Sequence, residues 1–477
     1  MADQNFTCYN LDDKILKAIS LLGYEEPTKV QSKVIPLALE GKDLIVKSQT
    51  GSGKTAAFGI PLCEKIDIEM KEPQALILSP TRELCLQTKE DISDIGRFKK
   101  VRCTAVFGKM PMRAQIRELR QRVHIVCGTP GRVMDHIRRG TLKLENIKYL
   151  IIDEADRMLD MGFIDQVDEI IDKLPKERIT MLFSATMAGK IEKLCRKNMK
   201  NPVEVDITPE NMVSKNIKQE YYEVKNNEKF RLLNKIISTE NPESCIIFCS
   251  TKDRVDKLSQ KLKDLNFSCD AFHGGLEQKD RLKVMKNFKK GNFNFLIATD
   301  IAARGLDVDD ITLIINYDMP FECESYVHRI GRTGRAGKTG KAVTFATHNE
   351  RKFLKDIEKY INLKITQKKV FLDKKMQKGK SIKAPDVEVC DKVALDEDIT
   401  KIYINAGRKE KIRPGDILGA AASIKSVDGD DIGIIDVHDY FSYFDVLNGK
   451  GKLVLEALKH TTVKGKKVNA KLAQDMD

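Results

Sequence analysis

Short apolar runs of four or five residues recur along this chain, each followed by a stretch with helical amphipathic period, and the series runs through twice. The first set is Asp43–Lys47, Gln74–Leu78, Val123–Cys127, Tyr149–Ile152 and Thr180–Phe183, with stretches such as Glu83–Ile95 between them. After a polar connector at 206–216 the series restarts as Ser244–Phe248, Cys269–Phe272, Phe295–Ala298, Thr312–Asn316 and Lys341–Phe345. Apolar runs suit strands covered on both faces, and strand–helix alternation builds parallel sheets. The expectation is two tandem α/β domains, 1–206 and 217–366. At roughly 150 residues per domain, 477 residues leave room for a third.

Residues 367–398 read as a linker. Lysines 368, 369, 374, 375, 378, 380 and 383 stand there against one early acid, Asp373, either as a solvated spacer or as phosphate contacts. The tail, 399–477, has its own pattern: strand Lys401–Asn405, helix Pro414–Ser423, strands Ile432–Val437 and Phe441–Val446, helix Lys452–Lys459, strand Lys467–Leu472. That order is the ferredoxin-like split. Period two sets Phe441 and Tyr443 on one face of their strand and Phe444 on the other, and aromatic residues at such positions are expected to be core more often than base-stacking.

The formal net charge is +13, which favours a polyanionic partner. No run of 18 apolar residues exists to span a bilayer. The polar start, Met1–Asp13, lacks the features of a signal peptide. Eleven scattered cysteines, with no Cys-x-x-Cys, read as buried reduced thiols of a cytoplasmic protein.

Ser48-Gln49-Thr50-Gly51-Ser52-Gly53-Lys54-Thr55 follows an apolar run and opens a helix. Glycines let backbone N–H groups curl around phosphate oxygens, and a helix N-terminus favours anions. Lys54 is placed to reach the β- and γ-phosphates of ATP, and Thr55 to hold Mg²⁺. Ser48 departs from the strict pattern, which has glycine there. Asp153-Glu154-Ala155-Asp156 follows the run Tyr149–Ile152: Asp153 would position Mg²⁺ through water, and Glu154 would take a proton from the attacking water.

With that tetrapeptide the chain resembles the DEAD-box RNA helicases, and matching motifs run in family order over about residues 6–337. The resemblance implies a fold of two tandem RecA-like parallel-sheet domains followed by a small α+β RRM-like domain. Phe6, Gly23-Tyr24 and Pro27-Thr28-Lys29-Val30-Gln31 resemble the adenine-reading motif, with Tyr24, Thr28 and Gln31 as nucleotide contacts beside Thr50, Gly51, Ser52 and Gly53. Ser184-Ala185-Thr186 resembles the element coupling hydrolysis to unwinding, through Ser184 and Thr186. Arg82, Thr129, Gly131 and Arg132 are implied as RNA contacts of the first domain, and Gly274, Arg281 and Thr299 of the second. Asp307 would lie near the ribose, and Arg332 and Arg335 are the implied arginine fingers. Lys109 stands where the family has the second of two adjacent glycines.

The tail resembles the RNA-binding domain of the DbpA-type bacterial subgroup, carried by Lys401–Lys409 and Ile412–Leu418. Arg408, Lys409 and Lys411 are its candidate RNA contacts. The resemblance implies a monomeric, cytoplasmic, RNA-stimulated ATPase that locally unwinds RNA duplexes, uses ATP and Mg²⁺, and meets no membrane. Its implied partners are a 23S ribosomal RNA hairpin and pre-50S particles during large-subunit assembly. Two alternatives stay open: a general RNA chaperone without ribosomal specificity, and a non-enzymatic ATP-gated RNA clamp.

Overall fold

The computed structural model describes residues 5–48, 51–207, 213, 216–303, 311–334, 338–369 and 398–473. In the first domain the strands are β1 Leu44–Ser48, β2 Ala75–Leu78, β3 Cys103–Val106, β4 Ile125–Gly128, β5 Tyr149–Ile152, β6 Ile179–Ser184 and β7 Val203–Ile207. They form one sheet in the order β3-β4-β2-β5-β6-β1-β7. β2, β4 and β5 are buried along nearly their whole length, as central strands with helices on both faces must be. Two of these strands, β3 and β7, were not expected. Both lie at sheet edges and are only partly buried.

The second domain repeats the plan with β8 Ile217–Glu223, β9 Cys245–Cys249, β10 Cys269–Phe272, β11 Phe295–Thr299, β12 Leu313–Asn316, β13 Gly340–Ala346 and β14 Thr366–Lys368. The order is β10-β11-β9-β12-β13-β8-β14, with parallel pairing throughout. The two faces of β9 feed separate cores. Ile246 and Phe248 pack with Phe272, Leu296 and Tyr326, whereas Cys245, Ile247 and Cys249 pack with Leu233, Leu258 and Phe345. β8 and β14 correct the sequence reading, which gave the domain five strands and ended it at Thr366, with Gln367 and Lys368 opening the linker. At the polar connector, β7 runs to Ile207 and Val213 is 3% exposed within the second domain's core, while 208–212, 214 and 215 lie outside the described residues. Most of the expected linker, 370–397, lies outside the described residues.

The tail forms a four-stranded sheet in the order β16-β17-β15-β20, from β15 Thr400–Ile404, β16 Ile432–Val437, β17 Ser442–Val446 and β20 Ala470–Leu472. Helices Pro414–Ala422 and Gly451–Leu458 cover one face; Ile417, Ala421, Val454 and Leu458 pack there on Ile402, Ile404, Phe444 and Val446. The expected last strand, Lys467–Leu472, is broken. Lys466–Lys467 (β19) pairs with Thr462–Val463 (β18), and β20 starts only after the Asn469 N–H has bonded to the Asn405 side chain at 2.6 Å. Phe444 is fully buried, as a core aromatic should be, but Phe441 and Tyr443 lie on the opposite face and are half-buried. The core reading therefore fails for those two: the helices cover only one side of this sheet.

Ten cysteines fall among the described residues, and all are free thiols. No metal-binding cluster of His, Cys, Asp and Glu occurs among the described residues. None of the described helices is long and apolar enough to cross a membrane.

Candidate functional site

In the first domain the motifs gather at the carboxyl ends of β1, β5 and β6, where parallel sheets bind ligands. β1 ends at Ser48, and the phosphate loop leads into the helix Lys54–Lys65. Gly51 and Gly53 have φ of +79° and +86°, a region that suits glycine. Gly53 caps the helix without a side chain, so the N-terminal N–H groups remain for an anion. Lys54 is buried, and its ammonium donates to the Ser48 carbonyl at 3.3 Å, at the foot of the loop. Thr55 is half-buried one residue into the helix. Thr50 lies outside the described residues.

The adenine-motif residues brace this loop. Gln31 accepts from the Thr28 N–H at 2.8 Å and donates to the Gly53 carbonyl at 3.2 Å, while the Thr28 hydroxyl donates to the Ser52 carbonyl at 2.9 Å. Part of the Gln31 amide is thus spent inside the protein, leaving one N–H and one lone pair for a base edge. Tyr24 stacks on Phe6 with centroids 6.5 Å apart. A methyl group at Gly53 would meet the Gln31 Nε2 at 2.6 Å. Gly53→Ala adds that clash to left-handed strain of about 1–2 kcal/mol. It is expected to lower the melting temperature and weaken ATP binding at least tenfold, read by thermal unfolding with and without ATP. Unchanged ATP affinity would contradict the bracing.

Asp153 and Glu154 are each 3% exposed. Burial pushes the Asp153 carboxyl up to about 6, against the pull of Lys54. Its Oδ1 is buried without a hydrogen-bond partner. A hard, orphaned carboxylate oxygen within the field of Lys54 of the phosphate loop, together with a hydroxyl such as that of Thr55, is the kind of oxygen donor set Mg²⁺ prefers, so these residues fit the ion. Glu154 sits at φ +54°, a left-handed conformation costly for a side-chain-bearing residue. Its Oε2 lies 3.1 Å from an Arg157 guanidinium nitrogen, yet without hydrogen-bonding alignment.

Asp156, which the sequence reading left without a role, ties this loop to the next strand. Its Oδ2 accepts from the N–H groups of Ala185 and Thr186 at 3.0 and 3.1 Å, and its own N–H donates to the Ser184 hydroxyl. Ser184 in turn donates to the Thr186 carbonyl at 2.6 Å. The pair expected to couple hydrolysis to unwinding is therefore clasped to the Asp153–Asp156 loop. The signal was present as the last letter of Asp-Glu-Ala-Asp, but its partner lies 29 positions away.

Arg82 opens the helix Arg82–Ile95 beside Gly108. Thr129 precedes the helix Pro130–Arg138, and Gly131 is exposed in its first turn. Arg132 is not a free fork: it donates to the Met110 carbonyl and to the Gln115 side chain, both at 3.0 Å. Gln115 also holds the Phe107 carbonyl and His136, so it organises the loop around Gly108. Lys109 has φ +63° and is exposed, which explains why glycine suits this place and shows that lysine occupies it only under strain.

In the second domain Gly274 is exposed after His273, whose ring bonds to Asp256 at 2.9 Å. Arg281 is 8% exposed, lies over the Phe272 ring at 4.6 Å and donates to the His273 carbonyl. Thr299 is half-buried at the end of β11. Arg332 is 5% exposed. The neighbouring Arg329 is a hub that sequence reasoning missed. It grips both oxygens of Asp300 at 2.5 and 2.6 Å, and donates to Asn316 and the Asp318 carbonyl. Asp307 and Arg335 lie outside the described residues.

In the tail Arg408, Lys409 and Lys411 are all exposed. The N–H groups of Arg408 and Lys409 donate to the carbonyls of His438 and Asp439 at 2.8 Å, which stitches this basic loop to the β16–β17 turn. His438 stacks on Phe441 at 4.6 Å, and Tyr403, Phe441 and Tyr443 lie 5.4–5.9 Å from one another.

A phosphate loop, a buried acidic pair at a strand end and a second parallel sheet of the same plan are the parts of a two-domain nucleotide-binding motor. Family models match over three segments: DEAD/DEAH box helicase at 28–194, helicase conserved C-terminal domain at 228–337, and DbpA RNA binding domain at 401–472. The chain is 53% identical to the ATP-dependent RNA helicase DbpA of Bacillus subtilis over 98% of its own length and 99% of that protein's. It is 45% identical to the DEAD-box ATP-dependent RNA helicase CshA of Geobacillus kaustophilus, over 75% of this chain and 77% of that one. Among solved structures, S. cerevisiae Dbp5 bound to RNA and ADP BeF3 matches with a TM-score of 0.70 and 32% identity, over 76% of this chain and 95% of that one. The chain belongs to the DEAD-box ATP-dependent RNA helicases, in the DbpA-type branch that carries an RNA-binding domain after its motor.

Proposed function

We propose that this RNA helicase acts on a 23S ribosomal RNA hairpin in pre-50S particles, the tail choosing the RNA and the motor separating a nearby duplex. The observation that carries the reading is the tail's surface: an exposed basic loop, Arg408 to Lys411, stitched beside a partly open cluster of four aromatic rings. Basic groups hold phosphate, and rings offer platforms for unpaired bases. The motor's candidate contacts, by contrast, are glycines, threonines and arginines, residue types that hold phosphate and sugar, contacts that carry no base code.

In this reading Lys54 and the N–H groups of the phosphate loop hold the β- and γ-phosphates of ATP. Thr55, and Asp153 through water, hold Mg²⁺, which neutralises phosphate charge when bound. Glu154 orients and deprotonates the attacking water. Arg332 and Arg335 stabilise charge leaving the γ-phosphate. Because Glu154 and the arginines belong to different domains, turnover requires both, and RNA binding that favours the same state is reciprocally coupled to ATP. The enzyme acts as a monomer in the cytoplasm.

Removing 399–477 tests the division of labour. RNA-stimulated ATPase at saturating RNA should persist, and the preference for ribosomal RNA over an unstructured homopolymer should vanish. A truncated enzyme that keeps its preference makes the motor the selector. A full-length enzyme with no preference makes the protein a general chaperone.

A further inference from the structure

The tail touches the first domain through one end of its uncovered sheet face, and the contacts are one-sided in charge. In each of the three ion pairs between described residues, the first domain supplies the cation. Lys17 meets Asp398, the residue just before the tail, at 2.8 Å, Arg97 meets Asp445 at 3.6 Å and Arg102 meets Asp436 at 2.9 Å. Lys100 donates to the Gly429 carbonyl at 3.4 Å, and Arg102 also donates to the Ile435 carbonyl on the edge strand β16. Beside these pairs an apolar seam forms, with Ala18 and Phe98 of the first domain packed on Ile399 and Leu447 of the tail.

Strand register shows which surface is used. Asp436 lies opposite Tyr443, Tyr443 opposite Tyr403, and Asp445 opposite Lys401. The two carboxylates taken by Arg102 and Arg97 therefore share a face with the aromatic residues. Asp445 is 3% exposed, and burial pushes its carboxyl up against the opposing pull of Lys401 and Arg97. A carboxylate so deeply covered at the rim of an open sheet has its cover, and part of its counter-charge, from the other domain. An RNA strand laid across Tyr403 and Tyr443 would run onto Arg97 and Arg102.

We propose that the tail is latched to the first domain by Arg97–Asp445, Arg102–Asp436 and Lys17–Asp398, and that RNA must displace this latch to use the tail's aromatic face. The latch is an intramolecular competitor. Lys17–Asp398 and Arg102–Asp436 are partly exposed and therefore weak, and only Arg97–Asp445 is well covered, so the latch opens reversibly, and it scales apparent RNA affinity by the fraction of tails that are open. The competition rests on the tail's being the RNA-selecting element. The latch itself does not.

The test uses the full-length protein without ATP. Hydrogen exchange of the β16 amides, in the absence of RNA, reports docking. Arg102→Asp should speed that exchange, and the charge swap Arg102→Asp with Asp436→Arg should restore it. For RNA, the probe is a ribosomal hairpin with single-stranded flanks. Arg102→Asp should tighten its binding roughly three- to tenfold, although the change adds negative charge and would weaken binding by simple electrostatics. Unaltered exchange in Arg102→Asp, or no restoration by the swap, overturns the latch. Faster exchange with equal or weaker hairpin binding overturns the competition. Failure of the tail as selector shows up separately, as hairpin binding that survives removal of 399–477.

Discussion

Glu154→Gln should bind ATP and RNA and lose on the order of 10²–10⁴ in turnover, the usual contribution of a positioned general base. The amide keeps the carboxylate's shape in a site that is 3% exposed, but it cannot take the proton. One cost follows from the structure. Arg157, also buried, loses the carboxylate 3.1 Å away, and an uncompensated buried cation is destabilising. Stability should therefore fall while nucleotide affinity holds, so binding and turnover must be measured on the same folded sample. RNA complexes formed with ATP should be long-lived, because the step that ends them is blocked. Wild-type steady-state ATPase would remove Glu154 from the chemistry.

Arg332→Lys should be nearly as damaging as removal of the side chain. An arginine that stabilises the leaving phosphoryl group is worth on the order of 10³–10⁵ in rate. Lysine keeps the charge but loses the planar fork that matches two phosphate oxygens. The readout is kcat at saturating RNA and ATP, with ATP affinity as the control. A rate within tenfold of wild type would show that charge alone suffices there, or that the work falls to another group.

Much of this was legible beforehand, and the rest was hidden for definable reasons. Central strands such as β5 show as unbroken apolar runs because helices cover both their faces. β7 and β14 pass unnoticed because they stand at sheet edges: β7 alternates apolar residues with Glu204 and Asp206 and shows no unbroken apolar run, and β14 is exposed and wholly polar. The phosphate loop and the acidic tetrapeptide are contiguous, so their chemistry is visible in one line of sequence. The bonds that make them a site are not. Gln31 to Gly53, Asp156 to Thr186 and Arg132 to Met110 join residues 22 to 30 positions apart. Arg102 and Asp436 are separated by 334 positions, and neither belongs to any motif. The half-open aromatic face misled for another reason: period two identifies two faces, but not which of them the helices cover.

The hydrolytic loop has a consequence for anyone who would make this enzyme more robust. Residue 153 is a carboxylate kept where water cannot solvate it, and residue 154 is held in a backbone region that favours glycine or asparagine. Both are local debts of the fold. A heat-resistance screen blind to activity would be drawn to these two codons, and, with the roles proposed for Asp153 and Glu154, its best survivors there should be inactive. Any thermostabilising library should therefore freeze positions 153 and 154, and look for its gains in strained places remote from the phosphate.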